Sequence, residues 1–192
     1  MIVYIHGFNS SPQSFKARLL RERLAALGRA DEFAAPALPV SPRAAMAVLR
    51  ETVNSDLHAT LIGSSLGGFY ATWLAERLTL RAVLVNPAVR PYDLLAGEVG
   101  RQKNYHTGEE YDFTAQHIAE LRALEVEAVT PERYLLLVGT ADEVLDYRAA
   151  VARYHGCRQI VVAGGNHGLD TFDDYLDATL TFCGAAAPRA RV

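Results

Sequence analysis

Short apolar runs alternate along this chain with longer stretches in which apolar residues recur every three to four positions. Runs that are apolar almost throughout are typical of strands covered on both faces, and the longer stretches are typical of amphipathic helices. Strands that alternate with helices predict an α/β fold, a parallel sheet with helices on both faces. The strand candidates are "IVYI", "EFAAPAL", "ATLIG", "RAVLVNP", "YLLLVG" and "QIVVAG".

The helix candidates carry local start and stop signals. "SFKARLLRERLAALG" ends at Gly28, a common residue after a helix, and "SPRAAMAVLRETVNS" has Ser41 as N-cap and Pro42 at the first helical position. "EFAAPAL" is a weak strand candidate that suits a sheet edge, because Pro36 cannot donate a ladder hydrogen bond. The apolar stripe predicted for the first helix consists of Phe15, Leu19, Leu20, Leu24 and Leu27.

Composition and charge argue against some classes of function. The chain has 192 residues, enough for one domain, and a formal net charge of −3 without a run of Lys or Arg, which argues against a nucleic-acid partner. No signal peptide and no apolar run long enough to span a membrane is visible, so we expect a cytoplasmic protein without a membrane partner. Cys157 and Cys183 have no metal-like spacing, and we expect two buried apolar side chains rather than a disulfide or a metal site.

Residues that directly follow the predicted strands are the natural place to look for chemistry, because ligands bind outside the carboxyl ends of parallel strands. Ser65 follows "ATLIG", Asp142 follows "YLLLVG" and His167 follows "QIVVAG". A serine, an acid and a histidine at the same edge of a sheet form a candidate nucleophilic constellation.

The stretch "GSSLGG" contains two adjacent serines, and steric reasoning separates them. In a G-x-S-x-G elbow the residues two before and two after the nucleophile pack too closely to carry side chains. Choosing Ser65 places Gly63 and Gly67 at these positions, whereas choosing Ser64 would place Ile62 and Leu66 there. Ser65 is therefore the predicted nucleophile, and we expect the Ser64 hydroxyl to satisfy local backbone groups.

His167 is the predicted base, because it follows the last strand in the chain order serine, acid, histidine. Asp142 is the predicted acid that holds the histidine tautomer. Asp146 remains the alternative, although an aspartate at the start of a helix is commonly an N-cap. The oxyanion needs two backbone donors: we expect Leu66 as one and Phe8 as the other, with Asn9 as the alternative to Phe8.

With these residues the chain resembles an α/β-hydrolase, and "HGFNSSP", "GSSLGGFYATWLAE", "VNPAVRPY", "DEVLDYR" and "GGNHGLDTFDDY" are similar to the YqiA-type family of small bacterial esterases. The resemblance implies a minimal α/β-hydrolase fold of about six parallel strands in the order 2-1-3-4-5-6. It implies hydrolysis of a carboxylic ester or thioester without a metal or organic cofactor. It also carries the roles of nucleophile, acid and base to Ser65, Asp142 and His167.

Hydrolases of this class carry a cap after the strand that here is "RAVLVNP", and we assign residues 88–131, hereafter the cap, to a short version of it. The predicted domain spans residues 1–184, followed by a flexible tail at 185–192. The cap is either a solvent-facing loop with anchoring aromatics or a flap that contacts substrate. Asn9, Tyr92 and Tyr105 are the candidate substrate-binding residues.

The predicted function is that of a serine esterase acting on small to medium acyl groups of a small-molecule ester or thioester. A ligand-binding protein that kept the fold without turnover is one alternative. An acyltransferase or a C–C hydrolase using the same triad is another, because fold and triad do not separate these reactions. The sequence leaves the natural substrate and the oligomeric state open.

Overall fold

A computed structural model of the protein describes residues 1–54, 56 and 58–186, and its centre is a parallel sheet. The strands are β1 Ile2–Ile5, β2 Phe33–Ala34, β3 Thr60–Ser64, β4 Arg81–Val85, β5 Gly100–Lys103, β6 Glu110–Phe113, β7 Tyr134–Gly139 and β8 Arg158–Val162. Six of them form one sheet in the order β2-β1-β3-β4-β7-β8, and each neighbouring pair in it is parallel. The predicted order of the central strands is confirmed.

Helices cover both faces of this sheet. They are α1 Phe15–Ala26, α2 Pro42–Asn54, α3 Leu66–Leu78, α4 Pro91–Leu94, α5 Ala115–Arg122, α6 Tyr147–Arg153 and α7 Leu176–Phe182. Alternate residues of β1 belong to different cores: Val3 and Ile5 pack with α2 and α3, whereas Ile2 and Tyr4 pack with α1 and α7. The central strands are therefore buried on both faces, which explains their continuous apolar sequences.

The stripe predicted for α1 is only partly buried. Leu20 and Leu24 are fully buried, but Phe15 is 41% exposed and the neighbouring Lys16 is buried instead. The Lys16 ammonium donates a hydrogen bond to the carbonyl of Gly168, which lies in the loop after β8. A lysine can bury its stem when its charged end finds such an acceptor, and the hydrophobic pattern does not reveal that partner.

The cap is more regular than the sequence suggested. It contains α4, a 3₁₀ turn at Leu95–Glu98, an antiparallel hairpin formed by β5 and β6, and α5. The hydrophobic pattern does not predict this hairpin, because its strands, "GRQK" and "EYDF", are mostly polar and exposed. Phe113 at its end is buried and stacks edge-on against Phe8, with ring centroids 5.1 Å apart.

The C-terminal region is also more ordered at its start than predicted. Ala185, assigned to the flexible tail, is 1% exposed, and its amide donates to the Leu180 carbonyl at 2.8 Å. Residues 187–192 of the predicted tail lie outside the described residues. Cys157 and Cys183 are unbridged and half-buried. In the described part of the chain, each helix is too short or too polar to cross a membrane.

Candidate active site

Ser65 occupies the sharp turn between β3 and α3. Its φ of 55° and ψ of −122° are unusual for a residue with a side chain. The turn is held by main-chain hydrogen bonds: the Ser65 amide donates to the Val85 carbonyl at 3.0 Å, and the Ser65 carbonyl accepts from Gly68 and Ala88. Ser65 therefore sits on a rigid support at the N-terminal end of a 13-residue helix, where negative charge is favoured.

Two glycines make this turn possible, at the positions that the sequence argument selected. A Cβ at Gly63 would lie well under 3.0 Å from the backbone of Gly67, and a Cβ at Gly67 equally close to the Ile5 carbonyl. A Cβ at Gly68 would lie 2.6 Å from the ring Cβ of Pro87 and 3.1 Å from its Cα. Backbone atoms cannot move aside, so side chains are excluded at these positions.

Ser64 points away from this chemistry. Its side chain is buried and interacts with the hydroxyl of Tyr4, whose pKa is raised by burial. The Ser64 hydroxyl thus interacts with a side chain of the core, whereas we expected it to bind a local backbone group. Only Ser65 is presented to the cleft described below.

The structure brings Ser65, His167 and Asp142 together in one hydrogen-bonded line. His167 Nε2 lies 3.2 Å from Ser65 Oγ. His167 Nδ1 lies 2.9 and 3.0 Å from the two carboxylate oxygens of Asp142. Because a carboxylate only accepts, Nδ1 is the protonated nitrogen, and Nε2 is left free to accept the serine proton.

Asp142 is held as a buried anion. Its side chain is 1% exposed. Burial favours the neutral form, but hydrogen bonds from His167 and from the amides of Leu145 and Val144 outweigh it and lower the pKa of Asp142. The alternative acid, Asp146, caps α6 by accepting from the Arg148 amide at 3.0 Å.

The loop that carries His167 is held by side chains from three other segments. Asn86, directly after β4, donates to the carbonyls of Asn166 and His167. Lys16 donates to the next carbonyl, that of Gly168, and Glu143 accepts from the His167 amide at 3.0 Å. Asn86 was not singled out from the sequence, although it follows an apolar strand as Ser65, Asp142 and His167 do.

The two residues predicted to supply oxyanion donors, Phe8 and Leu66, lie beside Ser65 in the structure. Phe8 follows β1, Leu66 follows Ser65, and both line the same cleft as the Ser65 hydroxyl. Within the described residues, neither amide donates to a protein acceptor. Both donors predicted for an oxyanion are therefore available to a ligand.

The cleft above Ser65 has a volume of about 430 Å³, within the range of small-molecule sites. Its walls are largely apolar, and Glu98 is the one carboxylate among its lining residues in the described part of the chain. The predicted Tyr105 lines the cleft and is 83% exposed. Among the residues described, no cluster of His, Cys, Asp or Glu is arranged to hold a metal ion.

Asn9, predicted to contact substrate, instead ties the loop after β1 to the cap. Its side-chain amide donates to Gln102 at 3.1 Å, its side-chain oxygen accepts from the Tyr111 hydroxyl at 2.5 Å, and its carbonyl accepts from the Tyr105 amide. These hydrogen bonds engage both polar ends of the Asn9 side chain, and the residue does not line the cleft over Ser65. Its φ of 53° lies in the left-handed region.

Tyr92, also predicted to contact substrate, lies inside the cap and is fully buried. Its ring is covered by the Arg122 guanidinium, 4.4 Å from the centroid, and its hydroxyl accepts from Arg90 at 3.2 Å. A buried ring with charged partners stabilises the cap. The sequence could not distinguish this tyrosine from Tyr105, because both lie in the same polar stretch.

Three features define an α/β-hydrolase fold. They are the six-stranded parallel sheet, the strained serine turn after β3, and the acid and histidine that follow β7 and β8. Known structures agree with this class. The structure of mouse alpha/beta hydrolase domain-containing protein 10 superimposes with a TM-score of 0.67 at 19% identity, covering 92% of this chain and 89% of that one. The monoacylglycerol lipase of Paleococcus ferrophilus gives 0.67 at 16% identity, covering 94% of each chain. At these identities the likeness shows the fold alone.

The chain belongs to the family described as "Uncharacterised protein family (UPF0227)", whose model matches residues 1–184. One relative in this family, a UPF0227 protein of Serratia proteamaculans, is 26% identical over 167 residues. That match covers 84% of this chain and 86% of the relative.

Proposed function

We propose that this protein is a serine esterase that hydrolyses carboxylic esters or thioesters of small to medium acyl groups. The observation that carries the proposal is the position of His167, whose two ring nitrogens lie within hydrogen-bond distance of Ser65 and Asp142. A serine hydroxyl becomes an effective nucleophile when such a base removes its proton. The hydrolase and lipase names of the structural neighbours point to the same class of reaction.

In the proposed reaction, Ser65 Oγ attacks the acyl carbonyl while His167 Nε2 takes its proton. The negative charge that develops on the carbonyl oxygen is stabilised by the amides of Phe8 and Leu66. His167 then protonates the leaving alcohol or thiol as the carbonyl–oxygen or carbonyl–sulfur bond breaks, which leaves an acyl-serine. A water molecule, deprotonated by His167, releases the acid and regenerates Ser65.

The anionic Asp142 has two tasks in this cycle. Its hydrogen bond fixes the tautomer in which Nε2 is unprotonated, and its charge stabilises the imidazolium that forms during each proton transfer. The lowered pKa of Asp142 supports this role, because the carboxyl then stays ionised at neutral pH.

The cleft supports the choice of an uncharged acyl group. Its walls include Ala88, Leu94 and Leu95 from the cap side and Val144 and Leu145 from the loop of the acid. Burial of an acyl chain against such walls is worth about 0.8 kcal/mol per methylene. The volume of about 430 Å³ favours a compact chain.

A fluorophosphonate probe, followed by mass mapping of the adduct, tests the nucleophile. We expect a single adduct on Ser65 in the folded protein, and none after Ser65→Ala. Hydrolysis of p-nitrophenyl esters of increasing chain length should stop in the same variant. Release of free acid, measured in water and with an added alcohol, separates hydrolysis from acyl transfer.

Ser64→Ala is the matched control, because it removes a hydroxyl from the neighbouring residue without touching His167. We expect this variant to keep its probe labelling and its turnover. An adduct on Ser64, or turnover that survives Ser65→Ala, would contradict the proposal. A folded wild-type protein that neither labels nor hydrolyses any ester would support the alternative of a binding protein.

A further inference from the structure

Asn86 is a buried polar residue that lies where three chain segments meet. It directly follows β4, is 2% exposed, and its own amide donates to the Leu137 carbonyl in the neighbouring strand at 2.9 Å. Its side chain contacts no part of the cleft over Ser65. Its partners lie on the two segments that carry the acid and the base.

The side chain of Asn86 uses both of its polar ends on those segments. The oxygen accepts from the Gly139 amide at 2.8 Å, at the end of the strand that precedes Asp142. The nitrogen donates to the Asn166 carbonyl at 3.0 Å and to the His167 carbonyl at 2.9 Å. An asparagine amide has two N–H donors, so both are satisfied here.

These bonds fix the peptide groups on either side of the His167 Cα. The carbonyl of residue 166 belongs to the peptide that precedes this Cα, and the carbonyl of residue 167 belongs to the one that follows it. With both peptide planes held, the direction of the Cα–Cβ bond is set, and with it the reach of the imidazole towards Ser65. The third bond ties this arrangement to the backbone just before Asp142.

We propose that Asn86 is a positioning residue that holds His167 in hydrogen-bonding register with Ser65 and Asp142 by bridging the loops of the base and the acid. This inference rests on the proposed esterase function. Asn86 touches neither substrate nor the reacting atoms, and acts only through the backbone of the histidine loop.

The backbone of Asn86 explains why this residue type suits the position. Its φ of 42° lies in the left-handed region, where asparagine, aspartate and glycine are tolerated better than other residues. Of these, only asparagine both accepts from one amide and donates to two carbonyls. Test variants should therefore be chosen from the same set, so that backbone strain does not dominate the outcome.

Asn86→Gly removes all three side-chain bonds and keeps the backbone conformation, while Asn86→Asp keeps the shape but directs an oxygen at two carbonyl oxygens. For p-nitrophenyl butyrate we expect kcat to fall by about 100-fold in both variants, the scale reported for misplacement of a reacting group by about 1 Å. We expect KM to change by less than about threefold, because the cleft walls are untouched.

The downfield proton resonance of His167 Nδ1–H in its bond to Asp142 gives a readout independent of turnover. We expect it in the wild-type protein and expect it broadened or lost in both Asn86 variants. Tyr154→Phe is the control: it removes a buried 2.7 Å hydrogen bond to Thr72 and touches no residue of the triad. This variant should lose stability yet keep the resonance and kcat.

The outcomes separate this inference from the esterase proposal. If the wild-type protein labels on Ser65 and turns over ester, but both Asn86 variants keep kcat and the resonance, the positioning role is wrong and the esterase stands. Variants whose KM rises while kcat holds would equally overturn it. If the wild-type protein fails to label, the esterase proposal itself fails, although the resonance still reports whether Asn86 orders His167.

Discussion

The strand-end edge of the sheet and the cap build the same cleft by different means. At the edge, Ser65, Asp142 and His167 follow strands whose backbones are locked by main-chain ladders and by glycine contacts that admit no side chain. In the cap, the strands β5 and β6 are mostly exposed, and the hairpin is joined to the rest of the chain by a few contacts, chiefly the hydrogen bonds of Asn9 and the packing of Phe113 on Phe8.

This difference separates chemistry from selectivity. Bond breaking needs atoms placed to within a fraction of an ångström, and a covered parallel sheet supplies such a support. Contacts to the variable part of a substrate tolerate looser placement, so they can be built on an inserted segment at low cost to the fold. We therefore expect substitutions at the strand ends to affect kcat or folding, and substitutions of cap residues that line the cleft to affect KM.

The largest expected effect comes from Asp142→Asn. This change keeps the shape but favours the wrong tautomer of His167, and we expect kcat to fall by about 10⁴-fold, as the equivalent change does in serine proteases. Steady-state hydrolysis of a p-nitrophenyl ester measures it. Asp146→Asn is the matched control, since it retains an N-cap on α6 and should leave kcat unchanged. Equal losses in the two variants would contradict the assignment of the acid.

Asp142→Asn should also change how the free energy of unfolding depends on pH. The pKa of Asp142 is lower in the folded protein than the value of about 3.9 for an unperturbed aspartate. A depressed carboxyl pKa contributes stability that is fully present above the unfolded value and is lost as the pH falls through the folded value. The free-energy difference between wild type and Asp142→Asn should therefore be constant above a pH of about 5 in urea titrations, and should decrease as the pH falls below about 4 towards the lower pKa of the folded state.

A second strand-end prediction concerns the glycines of the serine turn. Gly67→Ala forces a Cβ into the carbonyl of Ile5, and we expect the free energy of unfolding to fall by about 3 kcal/mol or more. Gly97→Ala in the cap is the matched control, because nothing lies within 4 Å of its added Cβ. Its effect should stay within about 0.5 kcal/mol in the same urea titration. A stable Gly67→Ala variant would mean that the turn can relax.

The same contrast explains what the sequence could predict. Apolar runs of four or five residues identify strands covered on both faces, and the sterics of "GSSLGG" select Ser65 without any long-range information. The rule of inspecting residues after each strand would also have found Asn86. Its role could not be inferred, because it depends on carbonyls 80 and 81 residues further along the chain.

The structure of the cap could not be predicted, because the cap lacks the apolar runs that identify the strands of the sheet. Its hairpin has a polar sequence and little burial, so neither helical nor strand periodicity identifies it. The contacts of Asn9 and Tyr92 could not be predicted, because Gln102, Tyr111 and Arg122 become their neighbours only in the folded chain. Buried polar bonds of this kind leave no periodic signal.

Among the contacts that hold the cap to the sheet, those lost in Asn9→Gly should have the largest effect. Glycine accepts the φ of 53°, and the variant loses the side-chain bonds to Gln102 and Tyr111, at about 1 kcal/mol each. We expect about 2 kcal/mol of destabilisation and faster amide hydrogen exchange at 100–113, with exchange in β1 and β3 unchanged. Gln102→Ala removes one of the two bonds and should give about half the loss. Uniform exchange changes across the sheet would show that cap and sheet are not separable.

The smallest expected effect distinguishes two tyrosines of the cap. Tyr105 is 83% exposed and lines the cleft, so Tyr105→Ala should leave stability within about 0.5 kcal/mol. It should raise KM for longer acyl esters about fivefold, which is about 1 kcal/mol of binding free energy. Tyr92→Phe should lower the free energy of unfolding by about 1 kcal/mol, because it removes a buried hydroxyl that accepts a hydrogen bond from Arg90. It should leave KM unchanged. If KM responds to Tyr92→Phe but not to Tyr105→Ala, the cleft is entered from a different side of the cap. Selectivity would then depend on the interior of the cap rather than on its exposed edge.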